Sequence, residues 1–254
     1  MRRTASLLLA LSTVAAAGGG CHRITKPKTS SELLLTGRMA QVLLRDNQPV
    51  EAERAFREVL KYEPKNPEAL DGLGNALIMQ GRFKDAMPYL DKAVSLEPEN
   101  GSFRNNRGVA RMEQGEYKEA AEDFDAAERS GNPDDRLSAN INRGRLRQRQ
   151  GDFAAAEHEF STALARDPRS FAALLGRASA RESRGDLEGA AEDYLGCVKI
   201  DSMSAEANLR LGACLVSLKK GDLGRRYLQR AIDLDPTGDT GAKARIMMQG
   251  PPPS

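Results

Sequence analysis

The chain has 254 residues and a formal net charge of +2, with 5% aromatics and no tryptophan. That length allows one or two folded domains, and so balanced a charge does not favour a nucleic-acid partner. Two histidines and three cysteines leave little material for a metal centre or a nucleophile–base pair.

Residues 1–20 differ from the rest. A basic start (Met1-Arg2-Arg3), an apolar run (Ala5 to Ala17) and three glycines are the parts of a secretory signal, and the run is too short to span a bilayer. Cys21 directly follows those small residues, and the arrangement resembles a bacterial lipoprotein signal, which implies an acylated Cys21 as the first mature residue. Gly18 departs from that pattern, which usually has Leu three before the cysteine. The alternative is cleavage within 15–20, leaving a free thiol. Residues 21–31 form a basic linker with Pro27 and several Ser and Thr but no helical period.

From residue 32 the sequence repeats. Ala69 to Asn100 carries Gly74, Gly81, Phe83, Ala86, Ala93 and Pro98, and the same frame recurs along the chain. Small residues at the first and fourth of these let two helices approach, Gly81 turns the chain, and Pro98 follows the second helix. The pattern resembles the tetratricopeptide repeat, a helix–turn–helix unit of about 34 residues. The resemblance implies an all-α, right-handed superhelical solenoid of about six units over 32–238. The units are Leu33–Asn66, Pro67–Asn100, Gly101–Asp134, a fourth starting at Leu137, Phe171–Ser204 and Ala205–Gly238. The fourth is shifted by two extra residues, read as a lengthened connection. The sixth looks degraded, with Gly221 and Gly224 in place of the usual aromatic and alanine. Over 239–254, Asp239 to Gln249 is expected as a capping helix and the Pro-rich end as a disordered tail.

Three units break the apolar pattern. Arg107, Arg143 and Arg177 stand at the seventh position, where the other units have Met39, Leu73 and Leu211. Sixteen residues later come Asp123, Glu159 and Asp193, where the others have Ala55, Tyr89 and Tyr227. A buried guanidinium needs a carboxylate, so these are expected to be structural ion pairs, Arg107 with Asp123, Arg143 with Glu159 and Arg177 with Asp193. The competing expectation is a set of charges displayed to a ligand.

No phosphate-binding loop, metal cluster or catalytic constellation is legible, so neither enzyme activity nor a cofactor is expected. His22 lies in the linker and His158 on an outward helix face. Cys197 and Cys214 fall at small-residue packing positions, as buried thiols or, alternatively, a disulfide.

What remains is a surface. By resemblance, the first helix of each unit lines a concave face that holds partner segments. The frame turns inward Leu34, Asn75, Ile78, Met79, Asn105, Asn106, Val109, Met112 and Asn142, beside Gln41, Leu44, Asp71, Ile141 and Arg145. Amides there can hold an extended backbone, and the apolar residues supply contact. Otherwise they are simply solvated. Gly37, Ser138 and Asn142 replace the Lys and Arg of the family's carboxylate clamp, so that specialised role is not expected. The whole chain resembles the pilotin lipoproteins of type IV pilus systems. That resemblance implies an outer-membrane anchor at Cys21 facing the periplasm, and a secretin as the partner helped to its assembly. The alternatives are a scaffold for another envelope machine, or a spacer with no groove.

Overall fold

The computed structural model describes residues 29–249, which form thirteen helices. The expected leader, Cys21, most of the expected linker and the end from Gly250 lie outside the described residues. Twelve helices pair into six units: α1 (Ser30–Arg45) with α2 (Pro49–Tyr62), α3 (Pro67–Met79) with α4 (Phe83–Leu96), and α5 (Gly101–Glu113) with α6 (Tyr117–Arg129). Then come α7 (Pro133–Arg149) with α8 (Phe153–Arg166), α9 (Phe171–Ser183) with α10 (Leu187–Ile200), and α11 (Ala205–Ser217) with α12 (Gly221–Leu234). α13 (Asp239–Gln249) closes the array.

The boundaries follow from local chemistry. α1 starts at Ser30, inside the expected linker, because Thr29 and Glu32 form a capping box. Asn66, Asn100, Ser170 and Ser204 cap the first helices of four later units through side-chain oxygens. Within each unit the chain reverses through one residue at positive φ. It is Gly81, Gly115, Gly151 or Gly185 in the middle units, Asn47 in the first and Lys219 in the sixth.

Two expectations are corrected. The extra residues before the fourth unit do not lengthen a loop. Asn132 caps a helix that starts at Pro133, so α7 runs 17 residues where α5 and α9 run 13. Nor is the sixth unit degraded at Gly224. That residue is buried, and a Cβ on it would lie 2.9 Å from the Gly212 carbonyl oxygen and 2.7 Å from Val216 Cγ2. The glycine is what lets α12 close on α11.

The core is a ladder. Phe56, Leu90, Phe124, Phe160, Tyr194 and Leu228 occupy one position of each second helix, and all are buried to 1% exposure or less. Four of them face a glycine of the partner helix, as Phe124 faces Gly108 and Phe160 faces Gly144. Burying each such side chain contributes about 1.5–3 kcal/mol. Successive first helices (α1 with α3, α3 with α5, α5 with α7, α7 with α9) also pack directly on one another, whereas successive second helices have no comparable direct packing. The array therefore curves with its first helices inside. α13 covers the last unit, placing Ala244 against Leu209, Leu228 and Ala231.

Candidate partner-binding face

The concave face carries the positions that the repeat frame turns inward. Leu34 (58%) and Met79 (41%) are exposed and free to touch a partner. Asn75 is half-buried and makes no side-chain hydrogen bond within the described residues. Ile78 and Val109 are half-buried, each leaning on the core behind it.

Asn105 (4%), Met112 (3%) and Asn142 (8%) are buried and do not offer partner contacts. Direct packing between successive first helices encloses them. Met112 joins Phe124 and Leu146 in the core. The asparagines spend their amides on partners within the array. Asn106 Nδ2 donates to both carboxylate oxygens of Asp71 at 3.0 and 2.9 Å, and Asn142 Nδ2 donates to Asn105 Oδ1 at 3.5 Å. Asn105 in turn donates to the Asp135 carbonyl at 3.0 Å. Position six of one unit thus bonds position five of the unit before, and the ladder ends where Ile141 and Gly176 take those places. Burial pushes the Asp71 carboxyl up to about 7, against the lowering effect of the Asn106 hydrogen bond.

The arginines lie away from this face, between first and second helices. Arg107 grips Asp123 with two parallel bonds, Nε to Oδ2 at 2.9 Å and Nη2 to Oδ1 at 2.6 Å, and reaches Asp91 of the preceding unit at 3.1 Å. Arg143 meets Glu159 at 2.9 Å and also Asp125 (3.0 Å) and Glu128 (2.5 Å). Arg177 grips Asp193 at 2.8 and 2.7 Å and reaches the Ser161 hydroxyl at 3.4 Å. Burial pushes the Arg107 guanidinium down, but the Asp123 hydrogen bonds and charge, with help from Asp91, hold it above the usual range. A second arginine one turn later was not expected: Arg111 meets Asp123 at 2.8 Å and Arg181 meets Asp193 at 3.0 Å. These pairs tie α4 to α6, α6 to α8 and α8 to α10.

Cys197 and Cys214 are free and buried. Burial first, and a nearby acid second, push their thiols up to about 12 and about 11, so both stay protonated and unreactive. A shallow cleft of about 750 Å³ lies on the convex side between α2 and α4, where Arg57 stacks on Tyr89 and bonds its hydroxyl at 3.2 Å. Among the described residues no helix is long and apolar enough to cross a membrane, and no three His, Cys, Asp or Glu are grouped to hold a metal ion.

A curved array of paired helices with a partly open inner face defines a repeat-built adaptor. The tetratricopeptide repeat family model matches residues 38–100, 80–135 and 141–202, and the chain belongs to that family. No curated protein sequence matches it. Among solved structures, 85% of the chain superposes on 98% of PilF from Pseudomonas aeruginosa, with TM-score 0.69 and 18% identity. It superposes equally on all of PilW, described as a widely conserved type IV pilus biogenesis factor, with TM-score 0.71 and 19% identity. The Cut9–Hcn1 assembly of the APC/C gives TM-score 0.73 at 15% identity, but only 42% of that chain is covered. At these identities the shared property is the fold.

Proposed function

We propose that this protein is a lipid-anchored adaptor of the outer membrane that acts as a pilotin, holding a type IV pilus secretin subunit on its concave face until the ring assembles. The observation carrying the proposal is end-to-end agreement in array length. The described solenoid matches 98% of the PilF chain and all of the chain of PilW, a type IV pilus biogenesis factor. Cys21 after Gly18–Gly20 supports the anchor, and His22 in place of Asp fits outer-membrane sorting, by likeness to lipoproteins generally. The mechanism involves no bond-making. The groove covers apolar secretin surface, and tethering raises the local concentration of the bound subunit at its destination. A single acyl chain anchors marginally, whereas several make attachment stable.

Deletion of the gene tests the proposal: secretin multimers and surface pili should vanish and return with the wild-type gene. Cys21→Gly should give a folded protein that leaves the outer-membrane fraction and restores multimers poorly. Unchanged multimers in the deletion strain would redirect the protein to another envelope assembly, and an unmodified Cys21 by mass spectrometry would discard the anchor.

A further inference from the structure

Arg145, on α7, sits at the ninth position of the fourth unit counted from Leu137, in line with Asn75 of α3, Val109 of α5 and Ser179 of α9 along the concave face. Its neighbours on that face already have partners. Arg149, one turn later, takes the Glu113 carboxylate at 2.5 Å. Asn142, one turn earlier, accepts a hydrogen bond at Oδ1 from Arg145 Nη1 at 3.4 Å, which aims the guanidinium without neutralising it. The inter-helix arginines Arg107, Arg143, Arg177 and Arg181 each hold a carboxylate. Arg145 holds none. The surrounding protein depresses its guanidinium below the usual range, and Glu113 offsets this only through distant charge. Arg145, Arg149 and Glu113 together leave a surplus positive charge in the groove, flanked by the apolar Val109 and the hydroxyl of Ser179.

We propose that Arg145 is an anion-recognition residue of the groove, and that the segment bound there presents an acidic side chain to it, with Asn75 and Val109 taking the adjoining backbone and apolar contact. A planar guanidinium matches a carboxylate in two-pronged geometry, and an approaching carboxylate restores the pairing that the fold withholds. The inference rests on the concave face being the partner surface.

The test is selection from a display library of random short segments against the full chain. Wild-type protein should enrich segments with Asp or Glu at one recurring place. Arg145→Glu should enrich Lys or Arg there. Arg145→Ala should bind the wild-type winners about tenfold or more weakly, as loss of a charged hydrogen bond does. Arg145 is exposed, so unchanged thermal melting is expected for both variants. A groove-filling variant, Asn75→Trp, or Met79→Trp if the first melts early, separates the two claims. Segments that bind the filled groove normally, or no enriched segment at all, would overturn the concave face as the site. Segments that need the open groove but ignore the charge at 145 would leave that face standing and overturn the acidic partner.

Discussion

Asp123 shows why three units depart from the apolar pattern. At 1% exposure it accepts bonds from Arg107 and Arg111, with Arg104 at 3.7 Å, so its loss leaves Arg107 and Arg111 only the exposed Asp91, at 3.1 and 4.0 Å. Asp123→Ala should cost about 3–5 kcal/mol in urea unfolding. The remedy suggested by the second unit is not the pair Leu73 and Tyr89 alone. Position eleven changes with them, being Leu77 and Leu215 in the two units that pair Leu with Tyr but Arg111 and Arg181 where an acid follows. Arg107→Leu with Asp123→Tyr should therefore remain destabilised, and adding Arg111→Leu should recover most of the loss. A triple variant no better than the double would refute this three-way coupling.

The arginine–acid spacing was legible because both ends lie in one unit and change together. The asparagine ladder was not, because its bonds join positions 35 and 37 residues apart in neighbouring units, where the repeat frame is silent. Amides that look like groove contacts from one helix alone are enclosed by the next. Asp71 adds a pH signature. Its carboxyl, raised to about 7, keeps a proton in the folded chain that the unfolded chain loses near pH ~4. The folded state then binds more protons between those values, so this residue's contribution to stability falls as pH rises through that window and is flat beyond it. Asp71→Asn should gain stability relative to wild type at about pH 8 more than at about pH 4. An equal difference at both would mean that Asp71 is not desolvated as the structure has it.

At the scale of elements, the punctuation was nearly complete in the sequence. Turn glycines, capping residues and the prolines that follow most second helices place most of the helices, since each is a local backbone requirement. Two features were misplaced because they are tertiary. The extra residues before unit four extend a helix rather than a loop, since Asn132 and Pro133 supply a start signal one turn early. Gly224, which breaks the alanine pattern, serves a closer helix contact than alanine permits. Gly224→Ala should destabilise the sixth unit by about 1–3 kcal/mol, the range for overpacking a tight contact. Local hydrogen exchange would show faster opening of α11 to α13. Unchanged protection there would mean that the helices part at little cost.

At the scale of the whole molecule, units linked in sequence by packing and by inter-unit arginines form a curved support, and its inner face is where, among the described residues, Asn75, with no side-chain hydrogen bond, the exposed Met79, and Arg145, with no carboxylate, collect. A spacer would need none of these. The most direct measurement of the adaptor role is secretin multimer abundance in membranes of cells whose only copy carries Asn75→Glu with Met79→Glu, beside a convex-face control, Lys118→Glu in the exposed flank of α6. Loss of multimers is expected with the groove variant at normal protein level and melting temperature, and normal multimers with the control. Multimers that persist when the groove is charged, or that vanish with the convex change alone, would contradict the adaptor role.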